Sequence, residues 1–234
     1  MRNLDSILAI IPAKKKSLRL QNKNLMLFNG NPLIYYSIKF AIKSGLKNII
    51  VSSDCKKILS YSKKLGVNII ERPKFLSKDT TPTISVLKHA TKYYISKNSS
   101  IDTIVTLQPT NPIRYSDLFR SSYDKFLKND FDSLISVGIN RLKIGYLDQF
   151  NLYKPLNYSL GSRSQDVKIS YYENGLIYFS KLENILNGDL YGKKIGSIII
   201  NDISSLIDID YKHDFEYAEL VFKKNKSDFD YLLN

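Results

Sequence analysis

ILAIIPAKKKSLRLQNKNLMLFNGNPLIYYSIKFAIKSGLKNIIVSSD, residues 7–54, alternates two kinds of apolar pattern. ILAIIP (7–12) is a short continuous apolar run stopped by a proline, the mark of a buried strand. PLIYYSIKFAIKSG (32–45) places Leu33, Ile34, Ile38, Ala41 and Ile42 on one helical face. Pro32 suits the first turn of that helix and Gly45 can close it. NIIVSSD (48–54) is again a strand. Strand, helix and strand in this order make a βαβ unit with parallel strands.

The alternation continues along the chain. CKKILSYSKKLG (55–66) reads as a helix with Ile58, Leu59 and Leu65 inward, VNII (67–70) as a strand, and residues 71–82 as a loop. TISVLKHATKYYISK (83–97) is helical and IDTIVTLQP (101–109) is a strand ended by proline. SDLFRSSYDKFLKN (116–129) follows as a helix with Leu118, Tyr123, Phe126 and Leu127 on its apolar side, and DSLISVG (132–138) is the next strand. Residues 139–173 break the pattern, and the stretch is too long for an ordinary connection. It reads as a lid, an arm or a dimer element. NGLIYFS (174–180) and KIGSIII (194–200) return as strands, HDFEYAELVFKKN (213–225) closes as a helix, and 226–234 reads as a loosely tied tail. The expectation is one α/β domain over 1–234, with a mostly parallel sheet covered by helices on both faces.

The chain has 234 residues, enough to bury a sizeable core. Its 35 basic and 22 acidic side chains give a formal charge of +13, which favours anionic partners. Cys55 is the single cysteine, which excludes an intrachain disulfide and points to a reducing cytoplasm. No apolar run approaches the ~20 residues that span a bilayer. The apolar stretch near the N-terminus is too short for a secretory signal and reads as the first strand.

Ligands of such sheets sit beyond the carboxyl ends of the strands. The loop after Pro12 holds Lys14, Lys15, Lys16, Arg19 and Lys23 without an acid. Its pattern Lys14, Ser17, Arg19, Leu20, Lys23 can neutralise a triphosphate, although the glycines of a P-loop are missing; the alternative is a solvated basic loop. In LIDIDYKHDF (206–215), Asp208 and Asp210 flank one apolar residue. An extended backbone would point both the same way, a donor pair suited to Mg²⁺, whereas the alternative is a turn before the last helix. Asp214 is the better placed helix cap. TLQPTNPIR (106–114) is a rigid loop carrying Gln108, or simply a polar turn. RSQDVKISYYENGLIYF (163–179) offers Arg163 or Lys168 to a carboxylate, or else ordinary surface charge. His89 reads as a packing residue and Cys55 as inert.

Taken together, LQPTNPIR, YYENGLIYF, IDIDYKHDFEYAE, RPKFLSKDTT (72–81) and the 31–54 segment resemble the acylneuraminate cytidylyltransferases, the CMP-sialic acid synthetases. The resemblance runs from about Ile7 to Ala218. It implies a Rossmann-like nucleotidyltransferase fold and transfer of CMP from CTP to the anomeric hydroxyl of a nonulosonic acid, with release of pyrophosphate. The opening loop resembles the family's CTP-binding loop, with Lys14 in place of an arginine and lysines 15 and 16 where glycines usually stand. Lys23, Arg19 and Asp210 are then the catalytic residues. Lys14, Ser17, Asn24, Arg72, Thr83 and Gln108 lie near the nucleotide, and Gln108, Arg163 and Gln165 face the sugar. Asp208 and Asp210 match the metal-binding acids for Mg²⁺. The resemblance also implies a homodimer, with its arm at about 139–170.

The expected substrates are CTP and an acidic nine-carbon sugar, with no membrane or nucleic-acid partner. An eight-carbon sugar acid (Kdo) is the alternative within the class. A catalytically silent sugar-nucleotide-binding protein is the rival outside it. A nucleic-acid-binding module is disfavoured, because no RRM, KH or helix-turn-helix pattern is present.

Overall fold

The structure is a computed structural model that describes residues 4–97 and 100–233. The outermost positions of the expected 1–234 domain therefore lie outside the described residues. In chain order the elements begin with β1 (Ile7–Pro12), a small hairpin of β2 (Leu27–Phe28) and β3 (Asn31–Pro32), α1 (Leu33–Lys43), β4 (Asn48–Ser53), α2 (Lys56–Lys64) and β5 (Asn68–Glu71). Next come α3 (Thr83–Ile95), β6 (Thr103–Thr106), α4 (Leu118–Lys128), β7 (Ser133–Asn140), β8 (Gly145–Leu147) and β9 (Tyr153–Pro155). The chain closes with β10 (Ser170–Lys181), α5 (Leu182–Asn187), β11 (Ile195–Ile200), α6 (Lys212–Lys224) and α7 (Lys226–Phe229).

A seven-stranded sheet has the order β11-β7-β10-β6-β1-β4-β5. β1 runs parallel to β4 and β6, and β5 and β11 are parallel to their neighbours. Only β10 is antiparallel, to both β6 and β7. The apolar run of β1 is buried from Ile7 to Ile11, as a central strand covered on both faces requires. One apolar cluster packs α1, α4 and α6 on one face; the other packs α3 on the opposite face through Leu87, Ala90 and Tyr94. Gly45 ends α1 at φ +81°, the left-handed conformation the helix end needs.

Three departures from the sequence reading have local causes. β10 is longer than expected because Ser170–Glu173 continue the pairing with β7, interrupted by a bulge between Glu173 and Tyr178. Residues 141–169 hold a hairpin of β8 and β9 rather than wholly irregular chain. The expected loose tail is packed: Phe229 and Leu232 are buried, and the Tyr231 hydroxyl donates to the Arg114 carbonyl oxygen at 2.6 Å. Its polar letters hide two anchoring apolar side chains three residues apart. Leu127, expected inward, is about half exposed.

Candidate active site

At the C-terminal rim of β1, β4 and β6 lies a cleft of ≈ 260 Å³. Its wall includes Lys14, Lys23, Asn24, Arg72, Thr83 and Gln108, six positions drawn from five separate stretches of sequence. The topology explains the convergence, since parallel strands deliver their C-terminal loops to one edge. Thr83 opens α3, so the positive end of that helix also faces the cleft.

The basic loop is held by its own side chains. Asn24 is buried, and its amide donates to the Lys14 carbonyl oxygen at 2.9 Å. The Lys15 backbone N–H donates to Asp54 at 2.7 Å. Lys14 pairs with Asp79 across the cleft mouth. Arg72 is buried, and its guanidinium donates to the Ser52 carbonyl oxygen at 2.8 Å. Burial pulls its pKa down to about 10, with Asp54 opposing the shift. A buried cation bonded to neutral oxygens is stabilised by any anion that enters.

Asp208 and Asp210 flank Ile209, and the side chains of Ile207 and Ile209 are buried. The segment is therefore locally extended, with both carboxylates on the other face. The Ile209 N–H donates to the Thr110 carbonyl oxygen at 2.9 Å, and Asn111 donates to the Ile207 carbonyl oxygen at 2.6 Å. Asp214 accepts from the backbone N–H groups of Asp210 and Tyr211 at 3.0 and 2.7 Å, so it caps α6.

Asp210 accepts from Lys23 at 2.8 Å and pairs with Arg19 at 2.5 Å. Lys23 also donates to the Ile209 carbonyl oxygen at 2.9 Å. The Arg19 pKa is raised, chiefly by Asp210. Asp208 keeps one side open to solvent, yet desolvation by the surrounding chain raises its pKa. Asp210 adds to the rise, while the Thr110 hydroxyl and Lys23 oppose it. Two oxygen-donor carboxylates on one face suit Mg²⁺, which usually takes one or two carboxylates with phosphate and water oxygens. Among the described residues no cluster of three or more His, Cys, Asp or Glu is arranged for a metal. With Lys23 and Arg19 on Asp210, the loop cations and the acid neutralise one another. A triphosphate with its cation can exchange partners with both.

Arg19, Asp208 and Asp210 flank this cleft rather than line it, and three further residues that the sequence places at the site stand apart from it. Ser17 is buried within the loop and does not line it. Arg163 is exposed and donates twice to Asp166, both at 2.9 Å. Gln165 is exposed in the same short turn. The expected sugar contact at Arg163 and Gln165 is thus not assembled at the rim: the bidentate bond inside residues 163–166 satisfies the guanidinium locally.

A second cleft, of ≈ 640 Å³, opens beside β7 and β10 and includes Asp208, Asn174 and Arg141. Thr110 joins the two, lining the first cleft while its carbonyl oxygen accepts from Ile209, the residue after Asp208 of the second. Sequence reasoning missed Arg141, which sits in the stretch without periodicity. It also missed the supporting work of Asn111 and Arg114. The β10 bulge frees backbone groups that need partners. Asn111 donates to the Asn174 carbonyl oxygen at 2.8 Å, Arg114 to the Leu176 carbonyl oxygen at 2.8 Å, and Ser136 Oγ accepts from the Ile177 N–H at 3.0 Å. Arg114 also donates to the Gln108 carbonyl oxygen at 2.8 Å, so one buried side chain ties β10 to the loop that follows β6.

The model of the Cytidylyltransferase family matches residues 8–232. A pseudaminic acid cytidylyltransferase of Campylobacter jejuni serotype O:2 is 31% identical over 226 residues, covering 93% of this chain and 97% of that protein. A CMP-N,N'-diacetyllegionaminic acid synthase of Legionella pneumophila is 30% identical, covering 94% of this chain and 97% of its own. An N-acylneuraminate cytidylyltransferase of Escherichia coli O18:K1:H7 is 28% identical over 97% of this chain and 55% of its own. The fold is that of CMP:2-keto-3-deoxy-manno-octonic acid synthetase solved with CTP, at a TM-score of 0.69 and 14% identity, covering 93% of this chain and 98% of that one. Both the sheet topology and a sequence match across almost the whole length lead to one conclusion: the chain belongs to the Cytidylyltransferase family.

Proposed function

We propose that the chain transfers CMP from CTP to the anomeric hydroxyl of a nonulosonic acid and releases pyrophosphate. The observation that carries this reading is the convergence of Lys14, Lys23, Asn24, Arg72, Thr83 and Gln108 on one cleft, beside the extended pair Asp208 and Asp210. The substrate class follows from the names of the relatives at about 30% identity.

The anomeric oxygen forms a bond to the α-phosphorus. The bond from that phosphorus to the bridging oxygen of the β-phosphate breaks, and its electron pair leaves with pyrophosphate. The hydroxyl proton passes to solvent. Such a displacement needs positioning and charge neutralisation rather than a side-chain nucleophile. Lys23 and Arg19, released from Asp210, take up charge on the phosphates, and Lys14 and Arg72 hold the rest. Asn24 fixes the loop, while Thr83 and Gln108 line the space for the nucleoside. Asp208 and Asp210 would hold Mg²⁺, which supplies further neutralisation and acidifies the attacking hydroxyl. Residues 141–169 expose Tyr146, Leu147, Phe150 and Leu152, an apolar surface suited to the same arm of a second copy in a homodimer.

Pyrophosphate release from CTP and Mg²⁺, measured with a panel of keto sugar acids, tests the reading. Release that depends on a nine-carbon acid is expected. Release only with the eight-carbon Kdo would move the substrate class, and CTP binding without release from any acid would mark a silent binder.

A further inference from the structure

The second cleft differs in chemistry from the first. Its inner end carries Asp208 and Asn174. Asn174 is 4% exposed, and its side-chain oxygen accepts from the Leu176 N–H at 3.3 Å, which fixes the amide orientation. Its amide nitrogen has no partner among the described residues. A buried donor without an acceptor is destabilising, and a ligand oxygen in this cleft would satisfy it.

The cleft has one cation, Arg141, which has no carboxylate partner among the described residues. Of its two acids, Asp208 lies at the inner end and Glu173 already accepts from the Tyr191 hydroxyl at 3.0 Å and the Tyr178 hydroxyl at 3.4 Å. The remaining wall combines Ile139, Leu142, Tyr172 and Leu206 with Asn140 and Ser205, whose side chains are already engaged: the Asn140 amide donates to Ser170 and accepts from the Leu142 N–H, and the Ser205 hydroxyl donates to the Asp202 carbonyl oxygen. Leu142 and Leu206 line it while 73% and 58% exposed, so their side chains lie open at its mouth. The turn that carries Arg141 and Leu142 is fixed. Asn140 accepts from the Leu142 N–H at 2.9 Å, and Asn157 donates to the Leu142 carbonyl oxygen at 2.8 Å.

We propose that this cleft reads the sugar's acid through Arg141 and its far end through the Leu142–Leu206 wall. It thereby selects keto sugar acids that carry acylamido groups and end in a methyl over those that end in a polyhydroxylated chain. The inference rests on the proposed cytidylyl transfer and names the substrate class of that same site. A hydroxylated chain set against this wall loses water contacts without gaining partners, whereas a methyl-ended chain gains apolar burial. A hydrophobic wall discriminates at such a difference by ~10–200-fold.

The test is steady-state pyrophosphate release with CTP and Mg²⁺, comparing pseudaminic acid, which ends in a methyl, with N-acetylneuraminic acid, which ends in a hydroxylated chain. CTP affinity is measured separately by calorimetry. The expected kcat/KM favours pseudaminic acid by at least ~10-fold. In the double variant Leu142→Ser, Leu206→Ser that ratio falls to within ~3-fold. Arg141→Gln raises KM for the sugar acid by at least ~10-fold with CTP affinity unchanged, and Arg141→Lys restores part of it. All three side chains are exposed, so folding is not at stake. Equal or better use of N-acetylneuraminic acid, a ratio that survives the double variant, or an unchanged KM in Arg141→Gln would overturn the inference while leaving cytidylyl transfer intact. Turnover of neither acid, with CTP still bound, would overturn the functional reading beneath it.

Discussion

In the proposed reaction Lys23 is the side chain on which the chemistry turns most directly. Its ammonium is nearly buried and sits between Asp210 and the Ile209 carbonyl oxygen, at the inner edge of the nucleotide cleft. Removing one preorganised donor to a transition state costs ~100–1000-fold in turnover. Lys23→Ala is therefore expected to lower kcat at least ~100-fold, and wild-type kinetics in that variant would remove Lys23 from the site. His89 has a different role. Desolvation, then the charge of Arg72, holds its pKa below the ordinary 6.5. The unfolded chain thus binds more protons below that value, and stability is lost as pH falls through it. His89→Gln should flatten the decline in melting temperature between about pH 7.5 and 5.5; an unchanged slope would show that His89 does not control it. The sequence alone named Lys23, Asn24, Arg72, Thr83 and Gln108, because each lies in a motif at a strand's end. It did not foresee that Arg163 pairs with Asp166 three residues on, a contact that motif matching does not weigh.

Among the elements, β10 does the most positioning. Its bulge leaves Asn174 and Gly175 unpaired with β7, and Asn111 fills the gap by bonding both Asn174 and Ile207. The Ile207 carbonyl oxygen precedes Asp208, so the bulge sets the height of the Asp208–Asp210 pair. Gly175 has φ +76°, and a Cβ there would lie 2.7 Å from the Asn111 side-chain oxygen. Gly175→Ala is expected to destabilise the fold by about 2–4 kcal/mol, from the left-handed backbone and the displaced Asn111 together. Urea unfolding measures it, and a loss below about 0.5 kcal/mol would mean that the bulge relaxes freely. The β10 strand itself was legible in NGLIYFS. Its bulge and its antiparallel direction were not, because strand direction and register depend on partners far away in the sequence. The same is true of the tail, where Tyr231 finds Arg114 across the fold.

At the scale of the molecule, the βαβ alternation read from residues 7–54 dictates where everything else goes. Parallel strands bring their C-terminal loops to one rim, and five of the chain's cations gather there in a loop without acids of its own, Lys14, Lys15, Lys16, Arg19 and Lys23. In the structure that charge is answered by Asp210 and Asp79 from distant segments. On the proposed function, nucleotide binding would be an exchange of these ion pairs as well as an addition of contacts. The most direct test is a crystal structure of the chain grown with CTP and Mg²⁺. The account predicts the triphosphate in the cleft lined by Lys14, Lys23 and Arg72, with Lys23 and Arg19 moved from Asp210 to phosphate oxygens and the cation on Asp208 and Asp210. A nucleotide bound elsewhere, or one bound at the rim with both ion pairs to Asp210 intact, would contradict it.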